Sequence, residues 1–149
     1  NAVPPHRAGD MALKAGLINA NQRWCNIDWL TCESTAVKGI HVLGDATLSA
    51  SAMPKSGSMA NQHGKMCAAA VIALLKGGTV PTNPVIMNTC YSMVDGRSAM
   101  HVTSIHKYDA AQKTMVAVKG AGGVSPKASE LEGTYAWGWA RNIWSDSLA

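Results

Sequence analysis

Small and apolar residues recur at three- and four-residue spacing between positions 58 and 76: Ala60, Gly64, Cys67, Ala68, Val71, Ile72 and Leu75. That period is helical, and Gly77-Gly78 supplies a stop. The spacing predicts a long helix over 58–76, with Gly64 and the alanines packed closely on a sheet. Just upstream, Gly39-Ile40-His41-Val42-Leu43 is a compact β-rich run ending in Gly44-Asp45. It predicts a strand whose tip presents a carboxylate. Residues 46–55 read as a loop of small side chains leading into Met53-Pro54-Lys55-Ser56-Gly57. The first 35 residues have little period. Pro4-Pro5 enforces an extended start, 8–15 reads as a short helix stopped by Gly16, and 24–35 has room for one short strand.

Beyond a Pro-containing linker at 79–84 the texture changes. Three runs, 85–93, 100–107 and 114–119, read as strands joined by turns at Asp95-Gly96 and at 108–113. They predict a small antiparallel sheet. Residues 120–125 read as a flexible loop. A helix is predicted over 129–145, with Ser129 as N-cap and Glu130 and Glu132 in its first turn. The fold class expected is α+β, divided at the linker into 1–78 and 79–149.

Composition narrows the function classes. Nearly half of the 149 residues are apolar and 15% are charged, enough apolar mass for a core and too little charge for a disordered chain. Phe is absent, while Trp occurs five times and Met eight. The net charge of +4 is spread over scattered Lys and Arg, so a nucleic-acid partner is not expected. The longest apolar run, 66–75, is about half a membrane span, so no transmembrane helix is expected. The chain starts at Asn1 without a basic-then-apolar leader, and it reads as a segment from within a longer protein. Cysteines stand at 25, 32, 67 and 90 with no Cys-x-x-Cys pair and no zinc spacing, so no metal is expected. Buried thiols are the plain reading, Cys67 above all, and Cys25 and Cys32 are near enough in sequence to pair.

The chemistry concentrates at the strand, Gly-Asp, loop and helix unit. A strand-tip carboxylate can accept hydrogen bonds from a sugar or ribityl hydroxyl, and ligands of open α/β sheets bind at that edge. The following helix N-terminus offers free N–H groups and partial positive charge, with Lys55 beside it. The pair suits a polyol-plus-anion ligand such as FAD; the competing reading is a turn with a capping Asp. His41 reads as a satisfied histidine rather than a ligand, and Cys90, taken alone, as a strand thiol.

Longer stretches carry a resemblance. Gly-Ile-His-Val-Leu-Gly-Asp-Ala-Thr at 39–47 and Met-Pro-Lys-Ser-Gly at 53–57 are similar to the flavoprotein subunit of flavocytochrome c sulfide dehydrogenase. Collinear matches follow at Asn88-Thr89-Cys90-Tyr91-Ser92, at Ala121-Gly122-Gly123-Val124-Ser125-Pro126 and at Tyr135-Ala136-Trp137-Gly138-Trp139 with Asn142-Ile143. At the front, Val3–Gly9 and Trp24-Cys25 also match. His6 and Cys32 depart from that pattern, where Gln and an aromatic are usual, and 95–97 is shorter and more polar. The resemblance implies the end of a glutathione-reductase-like FAD domain (strand, loop, helix) at 1–78, then an interface domain with a small antiparallel sheet and a C-terminal helix. The phosphate fingerprint Gly-x-Gly-x-x-Gly does not occur here and would lie upstream.

By the same resemblance, Cys90 is one half of a redox-active disulfide beside the flavin, its partner cysteine upstream. Hydrosulfide would attack that disulfide, and two electrons would pass through FAD to the haem of a cytochrome c subunit. Gly44 and Asp45 would meet the ribityl chain, Met53, Pro54 and Lys55 the isoalloxazine ring, and Trp139 would lie near flavin and disulfide. The compartment implied is the periplasm. The chain alone is expected to be inactive and to bind FAD weakly or not at all. Two readings compete: a sulfide:quinone oxidoreductase piece, and a non-catalytic interface module that could dimerise. Trp137, Trp139 and Trp144 on one helix could also mark a membrane-surface anchor, which thin flanking charge argues against.

Overall fold

The structure, a computed structural model, describes residues 2–148. After an extended start, Asp10–Lys14 forms helix α1, and Gly16, at φ +69°, turns the chain out of it. Residues 17–56 are irregular, tied by isolated bridges and one 3-10 turn at Gly44–Ala46. Helix α2 spans Gly57–Leu75. It ends as its paired glycines predict: Gly77 is left-handed at φ +65° and the Gly78 N–H reaches the Ala73 carbonyl at 2.8 Å.

Strands β1 (Val85–Met93), β2 (Ala99–Asp109) and β3 (Thr114–Val124) form one antiparallel sheet in the order β1-β2-β3. Cys90 faces Val102 and Tyr91 faces His101 in its register. Helix α3 (Glu130–Leu148) follows, and Ser129 caps it, its Oγ accepting the Glu132 N–H at 3.2 Å. Helix α2 packs on β1 and α3 on β2. The α+β class, the three-stranded sheet and the C-terminal helix are as the sequence predicts.

Four local expectations are corrected. The run 39–43 is extended but makes a single bridge, His41 to Glu33, rather than a strand in a ladder. Gly39 and Gly44 at positive φ bracket it, and its partner segment turns away at Cys32, itself left-handed at φ +60°. The expected strand within 24–35 is likewise reduced to isolated bridges. Residues 120–124 are not a loop but the far half of β3, where Gly122 pairs with Ser104 and Gly123 with Thr103 after an irregularity opposite Ile105. Glycine permits this: a Cβ on Gly122, at φ +136°, would sit 2.5 Å from the Thr103 carbonyl oxygen. Close packing of α2 falls at Ala60, whose Cβ would lie 2.9 Å from a Cβ on Gly44, and not at Gly64, which has open space beside it.

The core gathers Ala8, Leu17, Cys25, Ile27, Trp29 and Cys32 with Met53, Met59 and Cys67, and it takes Ile86 and Met115 from the sheet. It is thus continuous across the linker.

Candidate flavin and thiol site

The first turn of α2 organises the site. Ser56 is its N-cap, with Oγ accepting the Met59 N–H at 3.1 Å. The same hydroxyl donates to Asn88 Oδ1 on β1 at 2.5 Å, and Ser58 Oγ accepts the Thr89 N–H at 3.1 Å. Cys90 lies two residues beyond Asn88 on the same strand face, and its thiol donates to Asn88 Oδ1 at 3.4 Å. Cys90 is half-buried, whereas Cys25, Cys32 and Cys67 are buried.

Those three are the inert thiols that their burial makes them. All are free, and Cys32 meets Cys67 rather than Cys25. Burial pushes the Cys32 thiol up to about 12, the neighbouring Cys67 adding to the effect. Burial also raises Cys67, and raises Cys25 against the opposing charge of Lys55.

On the other side of the α2 N-terminus is an open cleft of about 880 Å³, within the ordinary range for ligand pockets. Residues 3–9 form one wall, and Arg23, Trp24, Asp45, Ala46 and Lys55 the rest. Asp45 is exposed in the 3-10 turn that closes the run 39–43. Its backbone carbonyl and that of Thr47 accept from Lys55 Nζ, the first at 2.9 Å. The Lys55 ammonium stands 3.9 Å from the centroid of the Trp24 ring, a cation–π contact. Burial there draws Lys55 below the ordinary lysine value, with Asp45 and Cys25 opposing. Gly44 is buried, its N–H bound by His63 Nδ1 at 3.0 Å. Met53 is buried in the core, Pro54 half-buried. His41, half-buried, is satisfied by the Thr31 carbonyl at 2.7 Å.

Trp139 lies elsewhere. It packs on Tyr91, ring centroids 5.8 Å apart, on the α3 side of the sheet, while Cys90 faces α2. With Tyr91, Met93, Trp137 and Trp144 it lines an apolar groove of about 240 Å³. Beside it, Glu132 Oε2 meets His101 Nδ1 at 2.7 Å, and Ser125 Oγ meets the same nitrogen at 2.8 Å. Among the described residues no three His, Cys, Asp or Glu side chains converge as a metal site, and no helix is long and apolar enough to cross a membrane.

The sequence singles out Asp45, Lys55 and Cys90 and gives no role to Trp24, Arg23, Ser56 or Asn88. Asn88 was within reach, since two-residue strand spacing puts it beside Cys90. The stacking of Lys55 on Trp24 had no sequence signal, because the two are 31 positions apart.

Residues 82–148 match the family model for flavocytochrome c sulphide dehydrogenase, flavin-binding. Over these residues the chain is similar to that family. The match begins inside the linker and covers the sheet and α3. The family is one of flavoprotein dehydrogenase subunits, and its flavin implies FAD in the parent protein. Its name implies a cytochrome c partner subunit there.

Proposed function

We propose that this chain is the C-terminal part of an FAD-dependent sulfide:cytochrome c oxidoreductase, in which Cys90 is a reacting sulfur and the Asp45–Lys55 cleft receives part of the flavin. One observation carries the reading. The N-terminus of α2 borders the cationic cleft through Lys55, which precedes its cap, and reaches the Cys90 thiol through the cap Ser56 and Asn88. The chain's own chemistry suits an anionic, polyol-bearing ring system: Arg7, Arg23 and Lys55 supply positive charge, Asp45 a hydroxyl acceptor and Trp24 an aromatic platform. Bound there, FAD would supply an acceptor for two electrons that can release them singly.

Cys90 would work as a disulfide with a cysteine outside this chain. Hydrosulfide breaks that bond, leaving one sulfur as a persulfide and the other as a thiolate, so that the electron pair of the attacking sulfur enters the dithiol system. A haem of a cytochrome c subunit would take the electrons onward, in the periplasm. The division at 79–84 into a last FAD-domain segment and an interface domain belongs to the same reading. The uncovered aromatic groove on α3 favours an interface role for the second part, including contact with a second copy.

The test is Cys90→Ser in the intact parent protein. The variant is expected to keep flavin absorbance and to lose sulfide-dependent cytochrome c reduction. Undiminished turnover would refute the role given to Cys90. The chain alone, titrated with FAD, is expected to bind weakly and to show no sulfide:cytochrome c activity.

A further inference from the structure

The reading of Cys90 as a reacting sulfur leaves open what sets its balance between thiol and disulfide, and the geometry points to Asn88: we propose that Asn88, oriented by Ser56, is a positioning residue that favours the thiol form of Cys90. This rests on the proposed function only for its biological meaning; the sulfur chemistry stands on the chain itself. Asn88 is 2% exposed. Its Oδ1 receives two donors, the Ser56 hydroxyl at 2.5 Å and the Cys90 thiol at 3.4 Å, which occupy both lone pairs of an amide oxygen. Ser56 Oγ already accepts the Met59 N–H, so its own hydrogen is free for Asn88. The Ser56 hydroxyl, itself fixed by the α2 backbone, and the Cys90 thiol therefore converge on one amide oxygen.

A sulfur bonded to a second sulfur carries no hydrogen. The contact from Cys90 Sγ to Asn88 Oδ1 is thus a hydrogen bond in the thiol and none in a disulfide, a mixed disulfide or a persulfide at Sγ. Forming any of these strips a buried acceptor of one donor, and a buried acceptor left short of partners is costly. The network therefore makes a disulfide at Cys90 more oxidising than the same bond without Asn88. That direction suits a disulfide meant to accept electrons from a sulfur nucleophile.

The experiment uses the chain with glutathione. In the exchange, Cys90–SH and oxidised glutathione give the Cys90–glutathione mixed disulfide and one glutathione thiol. One S–S bond breaks, one forms, and the Cys90 proton ends on the released thiol. The protein is equilibrated over a range of reduced-to-oxidised ratios, quenched in acid and mapped by peptide mass. Asn88→Leu, close in volume and without an acceptor, is expected to raise the equilibrium constant for the mixed disulfide about three- to fivefold. Ser56→Ala, which frees Asn88 to turn away, should raise it about twofold or more. If Asn88→Leu does not fold, Ser56→Ala carries the decision alone. A merely structural Asn88 would lower the melting temperature and leave the constant unchanged. An unchanged constant in the folded variants, or a shift toward the thiol, overturns the proposal. Loss of the sulfide dehydrogenase reading would show instead as turnover in the Cys90→Ser parent, without touching this equilibrium.

Discussion

At His63 the imidazole Nδ1 accepts the Gly44 N–H at 3.0 Å, while Nε2 is buried without a partner among the described residues and the ring stands at 76° to Trp29. Nδ1 as acceptor leaves the proton of the neutral ring on Nε2. Burial pushes the pKa down to about 4, Lys55 adding to the effect and Asp45 opposing it. The folded value lies below the unfolded one, so the unfolded chain takes up the proton first as pH falls. Stability that is complete above the ordinary histidine value of 6.5 is therefore lost as pH drops through about 4, by at most about 3 kcal/mol. His106, fully buried and lowered by burial, acts with the same sign. The urea midpoint is expected to fall between pH 7 and pH 5, and His63→Gln to flatten part of that slope. An equally steep slope in the variant would deny His63 this role.

At the scale of elements, α3 is held against the sheet by a contact only glycine allows. A Cβ on Gly133 would stand 1.7 Å from the Arg97 carbonyl oxygen. The 95–98 turn cannot give way freely, because Asp95 Oδ1 accepts the Arg97 and Ser98 N–H groups at 2.7 Å each. Gly133→Ala is expected to cost about 2–3 kcal/mol through forced separation of helix and turn. Gly138→Ala, on the same helix with open space beside it, should be neutral or stabilise by up to about 1 kcal/mol. Equal melting temperatures for the two variants would contradict the contact. Across the helices, Lys65 and Asp146 join α2 to α3, but both are exposed and the pair adds little.

For the whole molecule, the decisive feature is the single core. Ile86 and Met115 from the sheet pack among side chains contributed from before the linker, so the two parts share their burial. Urea unfolding followed by Trp fluorescence and by far-UV circular dichroism is expected to give one coincident transition. Met115→Ala, which empties a fully buried position, should lower stability by about 2–4 kcal/mol and leave the transition single. Two separated transitions would show that the parts melt independently.

The sequence by itself determined what local periodicity and backbone chemistry can encode. Helix α2 was legible from its three- and four-residue spacing and terminal glycines, β1 from its continuous run, and α3 from the Ser129 cap, because each signal lies within a few neighbouring residues. Asp45 and Lys55 stood out as chemistry at element ends, whereas Cys90, within β1, drew a role only from the family resemblance. Only the tertiary structure decided the rest. A strand needs a partner as well as propensity, so 39–43 stayed an extended run while the glycines of 120–124 paired into β3. A side-chain network needs residues far apart in the chain to meet. Ser56 and Asn88 are 32 positions apart, and their contact, set by α2 packing on β1, places the Cys90 thiol against an acceptor.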